Sequence, residues 1–366
     1  MKKFSSFDGL LSLLEDCRQC EIKYRIKKMP KKGGSKRIIH VPSKEVKEIQ
    51  WEILDIVKAW QVDECQFGFS PGKSCVDNAL FHIHGYDINA SGRKIQIRGV
   101  PRWVLKTDIE DAFPSVKRKH LETLFRDLFL PLKSYPAFVS ATSPDRVDKI
   151  YKKLVYQFAR LATFKGRMPQ GSPCSPYLFN LVLLQSGIVK KLKDKAGERA
   201  KKTKGCQVTA YKISFYGDDI TVTSFKDRIP NRFIKEISAI VEEGGIFRLN
   251  NEKTQRSSKK YRSILINGIT LNDKWKEGGP CFLGLSKKIR KTYRGKIHRV
   301  TVILDSGRLP ELEIDGINLE KAMGIISRIK DVYRNESLPS DLERVLIKFQ
   351  EARNNLIRRT INIVCI

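Results

Sequence analysis

The chain has 366 residues, 41% of them hydrophobic, enough to bury a core and too apolar for a disordered polymer. Lys and Arg total 70 against 40 acids, and the net charge of +30 implies a polyanionic partner. No run of about 18 apolar residues is present to span a bilayer, and the start Met1-Lys2-Lys3-Phe4 runs on into Asp8, Glu15 and Asp16 rather than a secretory leader. Nucleic acid, not membrane, is the expected partner, and the cytoplasm the expected place.

Leu10, Leu11, Leu13 and Leu14 predict a short helix within residues 1–25. Cys17 and Cys20 form the one close pair among eight cysteines, with no second pair or His-x-x-x-His after it, so reduced thiols explain it better than zinc. A basic turn, Pro30-Lys31-Lys32-Gly33-Gly34-Ser35-Lys36-Arg37, leads into a strand Ile38-Ile39-His40-Val41. Glycines among cations can close on phosphate, although a solvated hairpin tip explains the same residues. Ser43 caps a predicted helix whose Val46, Ile49, Ile53, Ile56, Val57 and Trp60 form an apolar face. The Gln66–Ser74 loop carries Lys73 but lacks the spacing of a phosphate-binding loop. Asn78 and His82 lie four apart on the next helical stretch, a spacing that usually has a structural use.

Trp103-Val104-Leu105-Lys106-Thr107-Asp108-Ile109 is an apolar strand that ends in an acid, with Phe113 five residues later. Helices are predicted over 119–130 and 145–163. A proline-rich loop, Met168 to Pro176 with Gln170 and Gly171, then feeds a helix Tyr177 to Val189. Residues 190–204 hold eight Lys/Arg and two acids and read as an exposed basic insertion. Phe215-Tyr216-Gly217-Asp218-Asp219 followed by Ile220-Thr221-Val222-Thr223 predicts a hairpin with two acids at its tip. Alone, Gly-Asp-Asp could be turn chemistry and nothing more. With Asp108 it makes a three-carboxylate cluster whose repulsion cations must relieve, and Mg²⁺ is the hard ion that such oxygens suit.

Phe233, Ile237, Ile240 and Val241 mark a further helix, and Asn267-Gly268 the turn of a hairpin over 263–272. Seven cations then crowd 287–299, among them Lys287, Lys288, Arg290, Lys291 and Arg294, without an acid between them. A helix over about 317–333 follows, then one from Ser340 with Glu343 as a capping box. This last quarter reads as a basic helical subdomain laid along a duplex or hairpin backbone.

In this order, the segments over about residues 25–285 resemble the reverse transcriptases, most of all the bacterial retron-type enzymes. The motifs are Asp108 to Ser115, Gln170-Gly171-Ser172-Pro173 with Pro176 to Asn180, Tyr216-Gly217-Asp218-Asp219, and Leu249-Asn250 with Lys253-Thr254. Lys36-Arg37-Ile38, Pro42 and Gln50 are similar to the fingers motif, and Gly68-Phe69 with Gly72-Lys73-Ser74 to the next one. Asn78-Ala79-Leu80-Phe81-His82 matches a signature of retron enzymes, whereas their Val-Thr-Gly signature is altered, to Ile266-Asn267-Gly268 at best. Gly217 stands where many bacterial relatives have alanine. A defence-associated reverse transcriptase outside the retrons and a group II intron-like enzyme are the alternatives, the intron enzymes usually carrying a maturase segment that is not expected here.

The resemblance implies an α+β right-hand polymerase: fingers over 1–100, a palm with an antiparallel sheet over 101–282, and a basic helical thumb over 283–366. It implies that Asp108 and Asp218, with the Ile109 carbonyl and Asp219, hold two Mg²⁺ ions, Mn²⁺ being a substitute. Lys36 and Arg37 would hold the triphosphate, Phe113 would exclude a 2′-OH, Gln170 would touch nucleotide or template, and Lys253 would protonate pyrophosphate. Asn78, His82 and the five named thumb cations are the expected RNA contacts. The implied partners are dNTPs, a structured non-coding RNA that primes through an internal 2′-OH, its DNA product, and a toxin or effector protein in phage defence. A decayed, non-catalytic RNA-binding protein and a metal-dependent nuclease are the other classes. The full carboxylate set with Gln170 and Lys253 argues against the first, and the fingers and sugar-gate motifs against the second.

Overall fold

The computed structural model describes residues 7–30, 34, 36–88, 94–134, 142–198, 211–272, 282–306, 318–334 and 337–364. By contact the chain forms two units: residues 1–74 with 104–256, and residues 75–103 with 257–366.

In the first unit, helix α1 (Phe7–Gln19) and strands β1 (Tyr24–Pro30) and β2 (Lys36–Pro42) come first, the strands pairing antiparallel with Lys28 opposite Ile38. Helix α2 (Lys44–Val57) starts at Ser43, whose side chain accepts from the Val46 N–H, and its apolar stripe is buried as the spacing predicts. Gln50 on that helix is fully buried and donates to Tyr24 Oη and the Leu161 carbonyl, which ties the β-ribbon to the helices behind it.

The helical core is aromatic. Phe125 and Phe129 on α5 (Arg118–Phe129) meet Phe158 on α6 (Pro144–Leu161), edge-on at 5.7 and 5.3 Å, and all three are fully buried. Helix α7 (Ser175–Gln185) is apolar nearly all round and correspondingly buried. A four-stranded sheet, in the order β6-β7-β5-β8, consists of β6 (Lys212–Tyr216), β7 (Asp219–Ser224), β5 (Trp103–Asp108) and β8 (Gln255–Ser258).

One expectation needs correcting. The basic stretch from 190 is not a solvated insertion, because Ile188–Glu198 is a helix, α8, with Ile188, Val189, Leu192 and Ala196 buried. Their spacing of one, three and four residues is an amphipathic stripe that the lysines obscured. Residues 199–204 lie outside the described residues, as do Lys31, Lys32, Gly33 and Ser35 of the basic turn.

The second unit contains α3 (Cys75–Ile83), the pair β3 (His84–Ile88) and β4 (Lys94–Arg98), and a three-stranded sheet of β9 (Ile264–Ile266), β10 (Ile269–Asn272) and β11 (Phe282–Leu285). Three helices follow: α10 (Lys287–Asp305), α11 (Leu319–Val332) and α12 (Ser340–Val364). The predicted capping box is displaced, since Leu342 and Glu343 donate to the Pro339 carbonyl and Ser340 is already helical. Among the described residues no helix is long and apolar enough to cross a membrane.

Candidate active site

The acidic hairpin has the form that its sequence demands. Tyr216 pairs with Asp219, so Gly217 and Asp218 make a two-residue turn, and Gly217 has φ +64°. Positive φ at the first turn position is the geometry that closes a twisted hairpin, and glycine takes it without strain. A second segment runs beside the hairpin. Phe67 N–H donates to the Phe215 carbonyl at 2.8 Å, and Phe215 N–H to the Cys65 carbonyl at 2.8 Å. Gly68 passes so close that a Cβ there would lie 2.2 Å from the Gly217 nitrogen. Asn180, fully buried on α7, donates to the Gly68 carbonyl at 2.7 Å, while Gln66 donates to the Asn180 carbonyl. Asn180, Gln66 and Gly68, distant in sequence, thus form one clamp on the turn.

Asp108 ends β5 and is 7% exposed. The Ile109 N–H donates to the Asp218 carbonyl at 3.0 Å, and the Asn250 N–H to the Asp108 carbonyl at 2.8 Å. Backbone contacts therefore bring the ends of three separated segments together. Lys253, on the turn that Asn250 caps, donates from Nζ to Asp108 Oδ2 at 2.7 Å. That hydrogen bond, and then the acids around it, raise the Lys253 pKa.

Burial and then the charge of Asp108 raise Asp218, against the pull of Arg37 and Lys253. Asp219 is open to solvent, yet protein surrounds its carboxyl on the other sides; that burial, then Asp218 and Asp108, push it up to about 6. The carboxylates repel one another, and Lys253 offsets part of that charge. Among the described residues no three His, Cys, Asp or Glu side chains stand close enough together to hold a metal ion by themselves. Hard oxygens that are held together and incompletely neutralised suit Mg²⁺, which takes its remaining ligands from water and substrate phosphates.

The other predicted residues of this unit stand as follows. Phe113 is half-buried on the short helix α4 (Ala112–Ser115), between fully buried Phe179 at 5.5 Å and Phe69 at 6.2 Å. Lys36 and Arg37 are both exposed at the start of β2. Successive strand residues face opposite ways, so only one can share a face with the acids, and the charge felt at Asp218 is that of Arg37. The Gln170 carbonyl accepts from the His40 N–H at 2.7 Å, and a Cβ on Gly171 would stand 2.6 Å from the His40 oxygen, so this loop lies tight on β2. Lys73 donates to the carbonyls of Asp63, Glu64 and Gln66 and so braces its own loop. Arg160 donates to the carbonyls of Cys17 and Cys20, and burial pushes the Cys17 thiol up to about 12.

Two residues at the site had no role assigned from the sequence. Lys106 lies two positions before Asp108 and so on the same strand face; burial lowers its pKa while Asp219 raises it. Phe69 has φ +63°, is 47% exposed, and its ring fills the space of a Cβ on Gly217, 2.7 Å away. The Lys106 spacing was readable, whereas nothing in the sequence announces a strained aromatic.

In the second unit Asn78 and His82 are both fully buried. Asn78 donates to Asn267 Oδ1 in the β9–β10 turn, where Asn267 has φ +47° and Arg328 donates to its carbonyl. The Asn-Ala-x-x-His segment and the altered Val-Thr-Gly turn are two sides of one joint. Arg290 and Arg294 both donate to Asp341 at 3.0 Å, whereas Lys287, Lys288 and Lys291 are exposed on α10.

A family model described as "Reverse transcriptase (RNA-dependent DNA polymerase)" matches residues 29–284. Among curated proteins, the chain is 28% identical over 257 residues to the Retron Mx162 reverse transcriptase of Myxococcus xanthus, covering 67% of this chain and 46% of the relative. It is 24% identical over 287 residues to the Retron Ec86 reverse transcriptase of Escherichia coli, covering 76% and 71%. The chain thus spans about half the length of the Mx162 relative and of the Mx65 one, of which it covers 54%. A looser likeness, 15% identical with a TM-score of 0.45, is to a telomerase structure from Candida albicans, over 94% of this chain and 56% of that one. The family match takes in Asp108, Gln170, Asp218 and Lys253, and with it comes the α+β right-hand fold. The chain belongs to the reverse transcriptase family, and the curated relatives it resembles are retron reverse transcriptases.

Proposed function

We propose that this protein is an RNA-directed DNA polymerase that copies a cognate structured RNA into DNA, in the manner of a retron enzyme serving phage defence. One observation carries the reading: backbone hydrogen bonds gather Asp108 and Asp218 at one end of the sheet, Lys253 bonds Asp108, and the Phe113 ring lies against buried Phe179. Two Mg²⁺ ions held by Asp108, Asp218 and the Ile109 carbonyl, with Mn²⁺ as substitute, would activate the primer hydroxyl and neutralise the departing pyrophosphate. The chain's own groups do the rest. Asp219 adds charge to the cluster. Arg37, with Lys36 behind it, attracts the triphosphate. Phe113 stands where a rigid ring excludes a 2′-OH, because Phe179 stops it from retreating. Gln170 borders the nucleotide. Lys253 reaches the pyrophosphate only by letting go of Asp108, so it donates its proton late.

The fingers, palm and thumb divide the chain near residues 100 and 282, and the exposed lysines 287, 288 and 291 on α10 hold the RNA. Arg290 and Arg294 serve first to fix α12 through Asp341. The altered turn Ile266-Asn267-Gly268 supports a second reading, a defence enzyme outside the retrons. Sequencing the nucleic acid that copurifies with the protein decides between them. A short DNA joined to a structured RNA through an internal 2′-OH supports the retron reading, and an unbranched or random product overturns it. Loss of DNA synthesis in Asp218→Asn tests the enzyme itself.

A further inference from the structure

The three-stranded sheet of the second unit has two unlike faces. Ile264, Ile266, Ile269, Leu271, Leu283 and Leu285 occupy one, and all are buried. By strand alternation the other carries Ser263, Leu265, Thr270, Asn272 and Gly284, with Thr270 abreast of both Leu265 and Gly284. This second face floors a cavity of about 680 Å³, walled by the first turn of α10 and by Tyr333. Gly284 keeps the floor low: a Cβ there would lie 2.8 Å from Asn272 Nδ2 and 3.7 Å from Tyr333 Oη.

The two buried groups of this recess that lack a partner can both donate. Thr270 is 7% exposed, and its hydroxyl has no partner. Arg290 gives one terminal nitrogen to Asp341, but its buried Nε has no partner. Lys287 sits exposed at the rim. Ser286 Oγ accepts from the Ile289 N–H, one of the four free N–H groups that begin a helix. The Tyr333 hydroxyl is already engaged, accepting from the Leu285 N–H at 3.0 Å. Among the described lining residues there is no carboxylate. A buried unpaired hydroxyl costs roughly 1–3 kcal/mol, so its retention asks for a reason. Donors, two cations and a helix start exclude a metal ion as ligand and suit a phosphate. The volume exceeds a phosphate and matches a nucleotide with its sugar.

We propose that this recess binds one backbone phosphate of the RNA, with its ribose, and fixes the register of that RNA on the helical unit. Thr270 and Arg290 Nε donate to the phosphate from inside while Lys287 closes the rim. The proposal rests on the reading of α10 as the RNA-binding element.

The test uses the full chain and a short RNA hairpin, with affinity read by fluorescence anisotropy across a salt series. Thr270→Val keeps the side chain's shape and removes the unpaired hydroxyl. The expected result is binding about tenfold weaker, an unchanged salt slope and a melting temperature that holds or rises. Lys287→Gln should lower the slope of log K against log salt by about one. A merely structural threonine would give the reverse of the first result, a lower melting temperature with unchanged affinity, and that overturns the proposal. AMP serves as the competing probe. Displacement of the hairpin from wild type at micromolar AMP would identify a free-nucleotide site and overturn the RNA assignment; failure to displace it at such levels is expected. Lys288→Gln with Lys291→Gln is the control for the underlying reading. If that pair weakens hairpin binding while Thr270→Val does not, the recess fails alone. If neither does, the assignment of α10 fails with it.

Discussion

Asp218 sits on a turn fixed by backbone hydrogen bonds from two neighbouring segments, whereas Arg290 and Arg294 are held by a single carboxylate, Asp341. In the first unit the reactive groups are positioned by main chain and by glycines that admit no side chain. In the second, side chains hold side chains, and an exposed row of lysines is left over. The difference suits the tasks proposed for the two units. Chemistry on every template position needs geometry that no substrate can shift. Holding one RNA needs charge that is free to meet phosphate.

The largest effect expected is that of Asp218→Asn, which removes a hard anionic ligand while keeping its volume. DNA synthesis on a primed template should fall by roughly 10³-fold or more. The metal-free melting temperature should hold or rise, because one repelling charge is gone; near-normal synthesis would remove the basis for the catalytic assignment. Next is Gly68→Ala. A Cβ 2.2 Å from the Gly217 nitrogen has only backbone to displace, so unfolding stability should drop by about 3 kcal/mol in denaturant titration. The milder Gly217→Ala meets the Phe69 ring instead, and Phe69→Leu in the same chain should restore part of the lost activity. An unimproved double variant would show that the turn's strain, not the ring, sets the cost. Phe113→Val should raise the incorporation of ribonucleotides relative to deoxyribonucleotides by roughly tenfold or more. An unchanged ratio would make Phe113 ordinary core.

Much of this was legible because the chemistry is written in short, ordered motifs. Asp108, Asp218 and Asp219 could be singled out since a strand that ends in acid is costly without a counter-charge. The clamp of Gln66, Gly68 and Asn180 could not, because it joins residues 114 apart through carbonyls that any sequence would supply. The burial of Asn78 and His82 could not be read for a related reason. A polar signature reads as a surface contact until its buried partner, here Asn267, is known. In α8 the density of lysines hid an apolar stripe that the same spacing rule detects elsewhere.

Two smaller effects sharpen the contrast between the units. Asp219 has a folded pKa of about 6 against an ordinary 3.8. Between those values the unfolded chain has lost the proton and the folded one keeps it, so the metal-free protein should lose stability as pH rises from about 4 to about 6. Asp218, shifted in the same direction, adds to the slope. Thermal melts across that range check it, and Asp219→Asn should flatten the curve; a slope of the opposite sign would contradict the crowding of the acids. Smallest of all, Arg294→Gln should cost about 0.5–1 kcal/mol of stability, because the Asp341 pair is partly solvated. Lys291→Gln, with no such pair among the described residues, should leave the melting temperature alone and weaken RNA binding instead.

The interleaving of the two units bears on how the chain is made. Residues 75–103 belong with 257–366, yet they leave the ribosome about 150 residues ahead of that partner. At synthesis rates of roughly 5–20 residues per second they wait some ~8–30 s with the apolar face of α3 and the amide of Asn78 uncovered. The first unit, complete by residue 256, encloses that waiting segment in its own sequence. A nascent chain halted after residue 256 should therefore be protease-resistant over 104–256 and cleavable at 75–103, and a chaperone that binds apolar stretches has its most obvious client there.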